Sequence, residues 1–149
     1  SQPENIYAEH LSDYGEVSLP PPSYIALLEF CLERGIELKA LDMDDEHYTM
    51  AYCEHVSGTQ WLRQSLREKR LSRMTFKSKS PKGFAREWDK AINKLKGYKK
   101  LEEHREEVMA KNLNRFSRAG DILALIEIER LKGVVKNLKR LGWELEKIR

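Results

Sequence analysis

The stretch LNRFSRAGDILALIEI, residues 113–128, sets the expectation for the fold of the whole chain. A helical run reaches a glycine, Gly120, and a nearly continuous apolar run follows. Glycine takes a left-handed conformation at little steric cost, so it caps a helix and redirects the chain. The run DILALIEI then reads as a central strand, apolar on both faces. The same order recurs as LLEFCLERG followed by IELKALDMD at 27–44, and as VVKNLKRLG followed by WELEKI at 134–148, with Gly35 and Gly142 at the joints. Helices that alternate with strands predict an α/β fold, with helices packed on a small, mostly parallel sheet of about four strands. NIYAEHL at 5–11 is the remaining strand, and 143–148 is an edge strand. Ligands of open sheets bind beyond the carboxyl ends of the strands. The acids Asp42, Asp44 and Asp45 end one predicted strand, and Glu127 and Glu129 end another.

Between these units the spacing predicts helices. One follows the loop SDYGEVSLPPPS at 12–23, with Ser23 as its cap and Ile25, Leu27, Leu28, Cys31 and Leu32 inward. Others cover 44–58, then Trp61 to about Arg73, then FAREWDKAINKL at 84–95, 101–118 and 131–141. MTFKSKSPKG at 74–83 reads as a mobile basic loop. The heptad spacing of Val134, Leu138, Leu141, Leu145 and Ile148 also fits one unbroken helix; the glycine favours a break at 142.

A chain of 149 residues, 40% hydrophobic and 34% charged, makes one soluble domain, 1–149. No apolar run approaches the ~20 residues of a membrane span, and no signal peptide is visible. Two cysteines without a CxxC spacing are consistent with reduced thiols in a cytoplasmic chain. The net charge of +3 conceals an asymmetry. Residues 1–60 hold 2 basic and 12 acidic side chains, a balance of −10, whereas 61–100 hold 14 basic and 3 acidic, a balance of +11. Either the two parts attract each other or the basic part meets a polyanion.

The acids Asp42, Asp44, Asp45 and Glu46 with His47 are the sharpest candidate for chemistry, since crowded carboxylates hold hard divalent cations or share a raised pKa. Acids at a helix start also cap free N–H groups, which accounts for all of them except Asp42. Glu9 and His10 end the first predicted strand and would approach Asp42 if that strand neighboured 36–43. Glu, His and Asp together make a metal site or an acid–base pair. His47 and His55 are too far apart on one helix to share a metal, and His104 sits beside glutamates as a surface ion pair. No GxSxG, phosphate-binding glycine loop or HExxH is present, which leaves nucleophilic serine or cysteine catalysis without support. In the basic segment, Arg67, Arg70 and Lys77 are the candidates for nucleic-acid contact, while Phe84 and Trp88 follow the spacing of a core face.

The stretches HREEVMAKNL at 104–113 and DILALIEIERLKGV at 121–134 resemble the carboxyl part of the TraB family, which is similar to the Tiki, erythromycin-esterase-like and ChaN proteins. Arg105, Met109 and Ala110 match its Arg-acid and Met-Ala pattern, and Glu106 takes the acidic position. ERGIELKALDMDDE resembles its helix–strand unit ending in Asp, and IYAEHL resembles its strand with a functional Glu, here Glu9. Where the family has Gly-x-Gly-His, this chain has Glu127, Ile128, Glu129 and Arg130, and the family's amino-terminal Gly-Thr/Glu-x-His strand is missing. The resemblance implies an α/β fold and a metal-dependent hydrolase in degenerate or partial form, with a divalent metal at Asp42 and His10 and with Glu9 and Arg105 as catalytic residues. Two other functions compete: a nucleic-acid-binding protein that uses 61–100, and a non-catalytic interaction module that buries charge between subunits of a homo-oligomer.

Overall fold

The computed structural model describes residues 2–18 and 20–144. Helix α1 covers Gln2–Leu11 and runs into a 3-10 turn, Ser12–Tyr14. Then come α2 (Pro22–Arg34), α3 (Asp45–His55), α4 (Gly58–Leu71), α5 (Pro81–Ile92), α6 (Lys96–Phe116), a 3-10 turn at Ser117–Ala119, and α7 (Ile128–Arg140). Among the described residues there is no strand, so the α/β expectation is wrong and the fold is all-helical.

Local chemistry sets the helix starts. Asp44 accepts a hydrogen bond from the His47 N–H at 2.8 Å, Ser57 from that of Gln60 at 3.4 Å, and Ser80 from that of Gly83 at 3.2 Å. Each satisfies one of the four N–H groups that a helix start leaves open. Pro22 and Pro81 sit in the first turns of α2 and α5, where a missing N–H costs nothing. Gly35 closes α2 in the left-handed region at φ 63°, and the Ile36 N–H reaches back to the Cys31 carbonyl at 2.9 Å.

Three apolar clusters hold the helices. Met109, Ala110 and Leu113 of α6 pack on Val134 and Leu138 of α7. Ile6, Leu71, Phe84 and Trp88 join α1, α4 and α5, and Ala51, Val56 and Leu101 join α3 to α6. Gly97 lies where a Cβ would run into the His55 carbonyl oxygen and the Gln60 side chain, so its smallness permits the crossing of α6 with the α3–α4 junction.

The glycine breaks are present, but the strands expected after them are not. IYAEHL is helical because Ile6, Tyr7, His10 and Leu11 share one face, which packs on Phe84 and Trp88. Tertiary burial outweighs the β preference of Ile and Tyr there. Residues 36–43 and 121–127 form neither helix nor strand. Both lie along α6. Lys39 reaches the ring of Phe116, the Leu41 carbonyl accepts from Asn112 at 2.9 Å, and Asp42 meets Arg105. Ile126 buries against the α6–α7 cluster from the other segment. Leu41 and Ile126 pack on the α6–α7 cluster while most of the other apolar side chains of these segments stay exposed, and no ladder forms between the segments. The break at Gly142 stands, with φ 89°, and the Trp143 indole donates to Asn114 at 2.9 Å. Trp143 and Glu144 form no strand, and 145–148 of the expected edge strand lie outside the described residues. The basic loop at 74–83 is tied down: Phe76 packs on Phe84, Tyr14 donates to the Ser78 carbonyl, and the Lys77 N–H donates to Glu87.

Candidate functional site

Asp42 and Arg105, expected to share a site, do meet. Asp42 lies on the link before α3, and Arg105 lies on α6. Arg105 Nε donates to Asp42 Oδ2 at 3.0 Å, and its Nη2 presses on the same oxygen. Its Nη1 donates to Glu102 Oε1 at 3.1 Å, while the other Glu102 oxygen faces the Arg130 guanidinium as an ion pair. Arg130 Nε lies 3.6 Å from the Glu127 carboxylate, which also accepts from the Tyr24 hydroxyl at 3.1 Å. Asp42 Oδ1 takes the Met43 N–H at 2.8 Å. Arg105 and Arg130 are each about one-fifth exposed, at 20% and 19%, so solvent screens these pairs little. Burial pushes the Arg130 pKa down, opposed by the nearby charges of Asp42 and Asp89.

This network fastens the 36–43 segment and the start of α7 to α6. It is not an acid–base centre, because both oxygens of Asp42 are engaged and its partner is a guanidinium that stays charged. Nor does it fit a metal. The positive charge beside Asp42 is already supplied, and among the described residues no three His, Cys, Asp or Glu side chains come together as ligands. Glu9 is exposed on α1, where its carbonyl accepts from Ser12 at 2.6 Å. His10 belongs to the aromatic cluster: its Nε2 lies 3.1 Å from the Leu71 carbonyl and its ring stands edge-on to Phe76. The expectation that Glu9 and His10 end a strand beside Asp42 fails: both lie on helix α1, where His10 packs in the aromatic cluster of α1 and α5 and Glu9 is exposed.

Arg130 is the link between Glu102 and Glu127. A second feature has no signal in the sequence. The rings of His55 and His104 meet edge to face, 5.6 Å between centroids, at a cleft of about 420 Å³ that also holds Lys100, Lys136 and Arg140.

The basic segment divides into two sets. Arg67 is structural: its Nη2 donates to the Ala91 carbonyl at 2.6 Å and ties α4 to α5. Arg70 and Lys77 are exposed. So are Lys82, Arg86 and Lys90, which recur every four residues along α5, opposite the buried Phe84, Ala85 and Trp88. That spacing is visible in the sequence beside the core positions it mirrors. Phe84 and Trp88 lie in the core as their spacing predicts, and Phe76 and Tyr98 are half-buried. None of the acid–base pairs among the described residues joins the acidic first 60 residues to the basic 61–100; Glu37, Asp44 and Asp42 pair instead with Lys39, His47 and Arg105. A second groove, apolar and of about 420 Å³, lies between α1 and the loop before α2, lined by Tyr7, Leu11, Tyr14 and Val17. Comparison with known proteins finds no family model that matches, no similar curated protein and no similar solved structure.

Proposed function

We propose that this helical domain binds nucleic-acid backbones, without base readout, through the exposed basic face of α5 and its flanking loops. The observation that carries the reading is the concentration of positive charge. Lys82, Arg86 and Lys90 form one stripe, and Lys77, Lys79 and Lys94 extend it. Among the described residues, the acid–base pairs of the chain's acidic part are made elsewhere. Lysine and arginine gain affinity by releasing the counterions condensed on phosphates, so such binding is steeply salt-dependent and tolerant of sequence. Stacking contributes little, because Phe84 and Trp88 are committed to the core and Trp61, on α4, is the aromatic residue of this segment left broadly exposed.

Fluorescence anisotropy with duplex and single-stranded oligonucleotides across a salt series tests this. Binding to both is expected, with log K falling linearly in log[salt]. Replacing Lys82, Arg86 and Lys90 by Gln should lower the slope by about 2–3 on duplex DNA, roughly 0.9 for each phosphate no longer neutralised. Unchanged slope and affinity in that variant would refute the assignment to α5.

A further inference from the structure

Helix α2 is the most apolar helix of the chain and the least packed. The close helix pairs are α6 with α7, α3 with α6, α5 with α7, α4 with α5 and α1 with α5, and α2 is in none of them. Tyr24, Ile25, Leu28 and Leu32 stand on one side of it, and Leu32 is 72% exposed. At 100° per residue they form a continuous stripe, with Glu29 and Glu33 along one edge. Helix α4 carries the counterpart. Its buried side is Gln64 and Leu71, and the side turned away shows Trp61, Leu62 and Leu66, the last 63% exposed. Arg63, Lys69 and Arg70 surround these three.

One chain therefore bears an apolar stripe edged with acid and another edged with base; among the described residues neither is covered by a close helix pair, and Tyr24 alone is tied within the chain, through its hydroxyl to Glu127. We infer that the two stripes answer each other between copies: α2 of one chain docks on α4 of a second, and a twofold axis repeats the contact. Two arguments select a second copy as the occupant. The charges are complementary only in that pairing, since acid-edged stripe on acid-edged stripe would set like charges together. The area is also sufficient, because each copy would bury both stripes, and their seven apolar side chains approach the roughly 800 Å² per partner of a standard interface. The basic stripe of α5 lies outside the contact, so this inference does not depend on the proposed nucleic-acid binding.

Light scattering coupled to size exclusion, on the full chain without nucleic acid, tests it. The wild type is expected at twice its 17.5 kDa mass, with dissociation favoured by salt. Leu32→Asp and Leu66→Asp should each run as folded monomers by circular dichroism, since both side chains already face solvent. A monomeric wild type overturns the inference. So does a dimer that survives either substitution.

Discussion

The link between Asp42 and Arg105 separates a structural ion pair from a functional acid, and a double-mutant cycle measures it. In Asp42→Ala, Arg105 keeps Glu102 but no longer has an acceptor for Nε and Nη2, with its side chain only 20% exposed. A hydrogen bond to a charged group contributes about 1.5–3 kcal/mol, and this pair is neither open to solvent nor fully enclosed, so the single substitution should cost about 2 kcal/mol. Arg105→Ala also takes one of its two guanidinium partners from Glu102, which keeps Arg130, and removes the cation from over the Tyr48 ring, 5.5 Å from its centroid, and should cost about 3 kcal/mol. The double variant should cost about 3–4 kcal/mol rather than their sum, leaving a coupling of about 1–2 kcal/mol. Urea unfolding followed by tryptophan fluorescence and circular dichroism gives all four corners. Divalent cations should leave the wild-type melting temperature unchanged. A coupling within error of zero, or a metal-dependent stabilisation that Asp42→Asn abolishes, would refute the reasoning.

Two further outcomes follow from burial. Glu106 and Glu129 have raised pKa values, each chiefly through burial, with Asp89 and Glu103 adding to the first and Glu127 and Asp89 to the second. A raised carboxyl favours the protonated form on folding, so its contribution is full below the ordinary glutamate pKa and is lost as pH rises through the folded value. Thermal melts of Glu106→Gln should therefore show higher stability than wild type at neutral pH and little difference near pH ~4; the reverse order would contradict the sign. Phe84 is 0% exposed and its ring meets those of Tyr7, Tyr14 and Phe76 at 5.0–5.5 Å, so Phe84→Ala should cost about 3–5 kcal/mol in the same urea assay, and under about 1 kcal/mol would show that the α1–α5 cluster is not a core.

Most of the helices are legible in the sequence because their signals are local. Asp44 as a cap, Phe84 and Trp88 as a core face, and the break at Gly142 depend on neighbours within a few residues. The strands are not, because a strand depends on a partner. ILALI at 122–126 has every side chain a central strand needs, yet its apolar packing runs through Ile126 to α6 and α7, and Leu123 is left 86% exposed. The α1 segment misleads differently: β-favouring Ile6 and Tyr7 are also one helical face when an aromatic cluster is there to receive them. At the site, the Asp42–Arg105 pair spans 63 positions of sequence, and no spacing rule reaches that far. Each residue stands out by its charge; that the two charges cancel each other is a property of the fold alone.

The unpaired run Ile122–Ile126 has a consequence for how this protein behaves at high concentration. Five apolar, uncharged residues outside any helix or ladder among the described residues are the raw material of cross-β stacking. The chain sets a carboxylate on each side of them, Asp121 and Glu127. In an in-register stack those acids would lie ~5 Å above one another, strand after strand, and their repulsion would grow with every copy added. The two acids then act as gatekeepers, and Asp121→Asn with Glu127→Gln is the change expected to leave this protein most prone to form fibrils.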